Sequence, residues 1–375
     1  MKPIYLDNAA TTPLLPEVLE AMLPFLTDQF GNPSSQYSLG RQTRSAIEEA
    51  RKNVAKLIHA HPSEIFFTSG GTESNNTAIK CSVRDLGVKR IITSPIEHHC
   101  VLHTVEEVEH QGVEIVYLPV DNEGKISLLA LRQSLSDTSK KTLVSLMHAN
   151  NEIGTLIDLK QIGDLCREFG ALFHSDTVPT FGHLPLNVQE IQVDFLSAAG
   201  HKFHGPKGIG LLFIRKGTAI KSFLHGGGQE RNFRAGTENV YGIVGFSKAA
   251  SIAYQNIDND IVYTKNLKKY FIDKIKQVHP EIQFNGPTDE NAIYTILNVS
   301  FPKVGDASMI LFSLDLDGIC VSGGSACSSG ANVGSHVIQA LHKEKDTVNI
   351  RFSFSKLNTI EELDIVIDKL KGKFV

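Results

Sequence analysis

Through the first two thirds of the chain, short apolar runs alternate with longer stretches whose apolar residues recur every three or four positions. The runs "EIFFTS", "RIITSP", "EIVYLPV", "LVSLMHA", "ALFHSD", "VDFLSAA" and "GIGLLFIR" are nearly continuously apolar. That texture predicts strands covered on both faces. Between them, "RSAIEEARKNVAKLIHA", "TESNNTAIKCSVRDLG", "CVLHTVEEVEHQG" and "LKQIGDLCREFG" carry the helical period, the last three with glycine where the pattern stops. The alternation predicts an α/β fold, with a mostly parallel sheet covered by helices.

After about residue 255 the texture changes. "IVYTKNLKKYFIDKIKQV", "ASMILFSLDLDG" and "TIEELDIVIDKLKGK" read as helices, "TILNVSFP" and "TVNIRFSFSK" as strands. This predicts a smaller α+β C-terminal domain with an antiparallel sheet. The expected division is a large domain over 14–255 and a small one over 256–375, with the N-terminal segment 1–13 associated with the latter. No internal repeat or low-complexity linker interrupts the chain.

Composition narrows the function classes. The 375 residues suffice for one large and one smaller domain. A net charge of −4, from 37 basic and 41 acidic residues, gives no electrostatic reason to expect nucleic acid or an anionic membrane. The opening "MKPIYLDNAATTP" has no apolar signal core, and no apolar run approaches a membrane span. Five cysteines show no paired spacing, so a cytoplasmic protein without disulfides is expected.

Open α/β sheets bind ligands beyond the carboxyl ends of their strands, so the residues there carry the chemistry. Gly70-Gly71-Thr72-Glu73 follows "EIFFTS" and opens a helix, a setting that suits an anion. It also fits a plain strand–helix turn with Thr72 as N-cap. The dinucleotide pattern GxGxxG is absent here. Glu97-His98-His99-Cys100 offers adjacent metal-ligand types, but neighbouring side chains diverge, which favours a single stacking histidine over a metal site. Asp176 ends a strand, where a carboxylate needs a cation or serves to cap the next loop. Lys202 stands between His201 and His204 in "GHKFHGPKG". An amine, a strand-end carboxylate and an anion cradle together suit pyridoxal 5'-phosphate, which needs a lysine for its imine and a carboxylate for its ring nitrogen.

"YLDNAATTP", "FTSGGTESNN", "EHHCVL", "MHANNEIGT", "GHKFHGPKG", "HGGGQERNFRAGTENV", "GSACSSG" and "IRFSFS" occur in order along the chain. Together they resemble the cysteine desulfurases, fold-type I pyridoxal-phosphate enzymes of the aminotransferase class V group. The resemblance implies a reaction that takes L-cysteine to L-alanine and leaves a persulfide on the enzyme. It implies sulfur transfer to an unidentified acceptor protein, as in iron–sulfur cluster assembly. By the same resemblance, Cys327 takes the sulfur, and Lys202 forms the imine and moves the α-proton. Gly71, Thr72 and His201 bind phosphate, while His98 stacks on the ring and helps proton transfer. Asp176 pairs with the ring nitrogen; Asn151 also contacts the cofactor and, with Arg351, holds the substrate carboxylate. Thr237 reaches the phosphate of a neighbouring subunit, which implies a homodimer. No metal is implied. Selenocysteine lyases share parts of the pattern and stand as an alternative substrate class.

Three positions depart from the family pattern. Pro179 stands where a glutamine usually donates to the cofactor's phenolic oxygen. Ala199 stands where a serine usually binds phosphate, and Tyr37 where relatives often have histidine. These departures support a second reading, a desulfurase-like protein with a weakened cofactor site that acts as a binding or scaffold partner.

Overall fold

The computed structural model describes residues 3–302, 307–324, 335–341 and 347–374. The chain opens with a short strand, β1 (Ile4–Tyr5), and two helices, Pro16–Leu26 and Ser38–Leu57. A sheet of seven strands follows: β2 (Ile65–Thr68), β3 (Arg90–Thr93), β4 (Glu114–Tyr117), β5 (Thr142–Ser145), β6 (Leu172–Asp176), β7 (Phe195–Ala199) and β8 (Gly210–Ile214). All seven coincide with the apolar runs. Their order is β2-β8-β7-β6-β5-β3-β4.

Strands β3 to β7 pair in parallel, because a helix or a long crossover returns the chain to the same end each time. Strand β8 is antiparallel to both β7 and β2. The connection from Ala199 to Gly210 holds only a single 3₁₀ turn, Gly200–Lys202, so the chain comes straight back beside β7.

Both faces of this sheet are apolar, and alternate residues explain why. Phe173, Leu196, Leu211 and Phe213 pack with Ile47, Val54, Ile162 and Phe246 on one side. Phe195, Leu212 and Ile214 face Ala78 on the other, where Ile91 and Leu143 also meet Ile79, Val101 and Val105. Helices Gly71–Leu86 and His99–Glu109 lie on that second side. The helix Val240–Gln255, which the sequence period does not reveal, packs against both N-terminal helices.

The second apolar cluster belongs to an antiparallel sheet of β9 (Gln283–Asn285), β10 (Ile296–Pro302) and β12 (Thr347–Ser353), with β10 in the middle. Val299, Phe301, Ile350 and Phe352 from this sheet meet Leu267 and Phe271 of helix Ile257–Val278 and Leu363 and Val366 of helix Ile360–Lys371. Ile4 and Leu6 join that cluster, and β1 pairs in parallel with β11 (Ile319–Cys320). From there the chain crosses to the large sheet. Asn8 Nδ2 donates to the Ser353 carbonyl at 2.8 Å, and the Thr12 N–H donates to the His201 carbonyl at 2.8 Å. The segment Asp7–Thr12 thus ties the last strand of the small sheet to the loop that carries Lys202. No helix among the described residues is long and apolar enough to cross a membrane.

Candidate active site

The carboxyl ends of β2, β3, β5, β6 and β7 open onto a cavity of about 260 Å³, bordered on its other side by Asn8–Ala10 and by Arg351 on β12. After β2, the chain turns at Gly70 with φ +156° and ψ −177°, a conformation that side chains disfavour. Gly70, and not Thr72, is the N-cap of helix Gly71–Leu86, so no side chain caps the leading amides. Thr72 lies in the first turn and lines the cavity. A Cβ on Gly71 would meet Val178 Cγ2 at 2.5 Å, so glycine lets this helix start close against the loop after β6.

Asp176, the last residue of β6, is buried. Its carboxylate accepts from Asn75 Nδ2 at 2.7 Å and from the Val178 N–H at 2.9 Å. The second contact is the loop cap that its position suggested; the first comes from a turn further along the helix of Thr72. Both donors are neutral. Burial therefore pushes the Asp176 carboxyl up, against the pull of His98 and Lys202. Such a group gains from a cation placed in the cavity.

Lys202 Nζ points into the same space and donates to the carbonyls of Ala9 and Ala10, the latter at 2.9 Å. His201 Nδ1 lies 3.2 Å from Thr11 Oγ1; burial and then Lys202 and Lys207 lower its pKa to about 4. His98 is the N-cap of helix His99–Glu109, and its Nδ1 accepts the Cys100 N–H at 3.1 Å. Its neutral form therefore carries the proton on Nε2. The ring of His99 turns away to meet those of His103 and His336, at centroid distances of 5.3 and 4.5 Å.

Arg351, on β12, is buried and lines the far wall with Asn151. Its Nη1 donates to the Asn151 carbonyl at 2.8 Å and its Nη2 to Asp7 Oδ1 at 2.7 Å. Its Nε is buried without a hydrogen-bond partner among the described residues, which leaves that N–H for an anion. Pro179 and Ala199 both line the cavity, while Tyr37 is exposed ahead of helix Ser38–Leu57. Thr237 is exposed and lies apart from this cavity, against a small pocket that also touches Ser69 and Arg234. Cys327 falls outside the described residues.

The roles of several residues in this site escape a reading of the sequence. Asn75 is a buried polar residue on a helix whose pattern does not mark it, and Cys100 reads only as one of a run of metal-ligand types. Asp7 and the Ala9 and Ala10 carbonyls come from a segment with no period at all. The run "YLDNAATTP" marks its place without giving a role.

The aminotransferase class-V family model matches residues 4–366. The chain belongs to the aminotransferase class-V family. Within that family it is 48% identical over 372 residues to "Cysteine desulfurase IscS" of Dictyoglomus turgidum, covering 98% of this chain and 93% of the relative. It is 45% identical over 373 residues to the protein of the same name from Methanosarcina thermophila, covering 98% and 91%. Among solved structures, a "NifS-like protein" superposes with a TM-score of 0.91 at 35% identity, covering 98% of both chains. "SspA in complex with cysteine" superposes with a TM-score of 0.82 at 32% identity, covering 95% of this chain and all of that one (100%). Class V desulfurases depend on pyridoxal phosphate. The cavity fits that group: an amine, a buried carboxylate in want of a cation, and uncapped helix amides in want of an anion share one space.

Proposed function

We propose that this chain is a cysteine desulfurase that moves the sulfur of L-cysteine onto Cys327 and releases L-alanine, with pyridoxal 5'-phosphate in the cavity. The observation that carries the reading is the convergence of Lys202, Asp176, His98 and the start of helix Gly71–Leu86 on one cavity. The names of the curated relatives support the substrate.

In this reading the leading helix amides, with Gly71, Thr72 and His201, hold the phosphate. Asp176 would hold the cofactor's ring nitrogen, a cationic partner that would offset the cost of burying its charge. When bound, the cofactor supplies an electron sink that weakens the bonds at the substrate's α-carbon. The Lys202 amine would hold the cofactor and would serve as the base for the α-proton. His98 would stack on the cofactor's ring and would present its Nε2–H to the cavity. Arg351 takes the substrate carboxylate through Nε with help from Asn151, in competition with Asp7. The Cys327 thiolate attacks the substrate sulfur: a sulfur–sulfur bond forms, the carbon–sulfur bond breaks, and the alanine carbon takes a proton.

Thr237, outside its own chain's cavity, serves the phosphate of a second copy, so the active form is a homodimer. Division into domains 14–255 and 256–375, with 1–13 attached to the second, is supported by the pairing of β1 with β11. The persulfide passes to an acceptor protein. The four described cysteines, Cys81, Cys100, Cys166 and Cys320, are unpaired, which supports a reducing cytoplasm.

Pro179 and Ala199 in the cavity wall favour the second reading, a weakened site in a binding partner. Incubation with L-cysteine separates the two. A desulfurase releases alanine, and loses that activity in Cys327→Ala while keeping its yellow colour. Yellow wild-type protein that releases no alanine would overturn the first reading.

A further inference from the structure

Cys100 touches three residues of the cavity wall. Its Sγ lies 3.0 Å from His98 Nδ1 and 3.1 Å from Asn75 Nδ2, and its side chain also meets Thr72 by a hydrogen bond. Asn75 Nδ2 donates its other hydrogen to Asp176 Oδ2 at 2.7 Å. The direction of every bond in this cluster can be fixed. Asn75 Nδ2 can only donate, so its Oδ1 faces His174 Nε2 at 3.1 Å as an acceptor. His174 therefore carries its proton on Nε2, and its Nδ1 accepts from Ser145 Oγ at 2.8 Å. Burial lowers the His174 pKa to about 3, in keeping with a neutral ring. At the other end, His98 Nδ1 already accepts a backbone N–H. The Cys100 thiol must donate to that nitrogen while accepting from Asn75 and Thr72.

We propose that Cys100 is a positioning residue, whose thiol joins the His98 imidazole to the Asn75–Asp176 pair and holds Nδ1 as an acceptor. Ser145, His174, Asn75, Cys100 and His98 then form a line of donors pointing one way, with Asp176 as a branch. The thiol keeps the proton that it donates, because burial, and next the Asp176 charge, raise its pKa to about 12. It is no nucleophile. Its contribution is to keep Nε2–H of His98 turned to the cavity and to oppose a second proton on Nδ1. Other groups also act on His98. Burial disfavours its charged form, Asp176 favours it, and Lys202, His336 and His103 disfavour it. The proposal rests on the desulfurase reading only for what His98 does in turnover.

The test is a pH titration of ¹⁵N-imidazole-labelled full-length protein by NMR, with the His98 signals assigned from His98→Gln. Wild type should show Nδ1 unprotonated and Nε2 protonated at neutral pH. Cys100→Ala removes one neutral donor, so the His98 midpoint should rise by about half a unit to one unit. Cys100→Ser keeps a donor and should restore the wild-type midpoint. Cys100→Val fills the space without donating and should behave as Ala does, which covers the case in which Ala disturbs packing. A midpoint that is the same in wild type, Ala and Val would overturn the proposal. The titration needs neither cofactor nor turnover, so failure of the desulfurase reading would show in the alanine assay and leave this result standing.

Discussion

The two walls of the cavity are built differently. The wall beyond the large sheet takes Thr72, His98, Asp176 and Lys202 from the ends of β2, β3, β6 and β7, and its acid is met by neutral donors. The wall beside the small sheet takes Arg351 from β12 and Asp7 from the N-terminal segment, and there the charges already pair at 2.7 Å. The first wall leaves an opposite charge wanting; the second has a resident carboxylate in the place of a substrate's. The difference teaches which side waits for a permanent group and which for one that comes and goes. A cofactor can stabilise a charge for the life of the protein. A substrate carboxylate needs a site that closes over a temporary partner when it leaves.

The largest effect should come from the amine of the first wall. Lys202→Ala should abolish alanine release and leave no site for borohydride to fix the cofactor, while Lys207→Ala should keep both. Peptide mapping of the reduced protein checks this, and an adduct on Lys207 would break the assignment. On the second wall, Arg351→Lys loses the planar fork and the Nε donor. A charged hydrogen bond contributes roughly 1.5–3 kcal/mol, so KM for cysteine should rise about tenfold to a hundredfold. Steady-state kinetics should find the change mainly in KM, in contrast to Lys202.

A smaller effect tests the gap left at Ala199. Ala199→Ser returns one hydroxyl to the first wall and should slow cofactor loss by about tenfold, from roughly 1.5 kcal/mol. Equal dissociation rates would mean that another donor already fills the place. The smallest effect concerns Glu97, a buried carboxyl near Asp176 that accepts from Ser94 and Met147 and borders no described cavity. Burial raises it to about 8. Between the ordinary carboxyl range and that value, the unfolded chain has released a proton that the folded one keeps. Glu97 therefore lowers stability as pH rises through this window. Burial pushes His148 down to about 4, so its contribution to stability runs the other way and is complete above its ordinary range. From pH 7 to 8 only the Glu97 slope remains of the two. Lys268, which burial lowers to about 8, gains stability over the same range, so the Glu97 contribution is read as a difference: in urea unfolding Glu97→Gln should lose about 1 kcal/mol less than wild type from pH 7 to 8.

The first wall is legible in the sequence and the second is not, for the same reason. Strands β2 to β8 are apolar on both faces, so each stands out, and the topology rule says where to look. Thr72, His98, Asp176 and Lys202 follow from that rule. Asp7 and Ala9 meet Arg351 and Lys202 only through pairings across nearly the whole chain, which no local period encodes. Thr72 reads as an N-cap, yet Gly70 takes that place, with a backbone that a threonine avoids. Cys100 reads with His98 as a run of metal-ligand types; the N-cap geometry instead folds residue 100 back onto the ring of residue 98. Helix Val240–Gln255 is apolar on most sides, with Gly242 and Gly245 in close contacts, so it shows no stripe. Helix Pro16–Leu26 contains Pro24, which reads as an interruption.

The strap Asp7–Thr12 has a consequence for the timing of synthesis. It leaves the ribosome well ahead of its partner, because Asn8 bonds Ser353, 345 residues later. At ~5–20 residues per second it waits roughly 20–70 s for its partner. Until then the Arg351 wall does not exist. A nascent chain can complete its large sheet and present Lys202 well before Arg351 is made, so the first wall of the cavity can form ahead of the second.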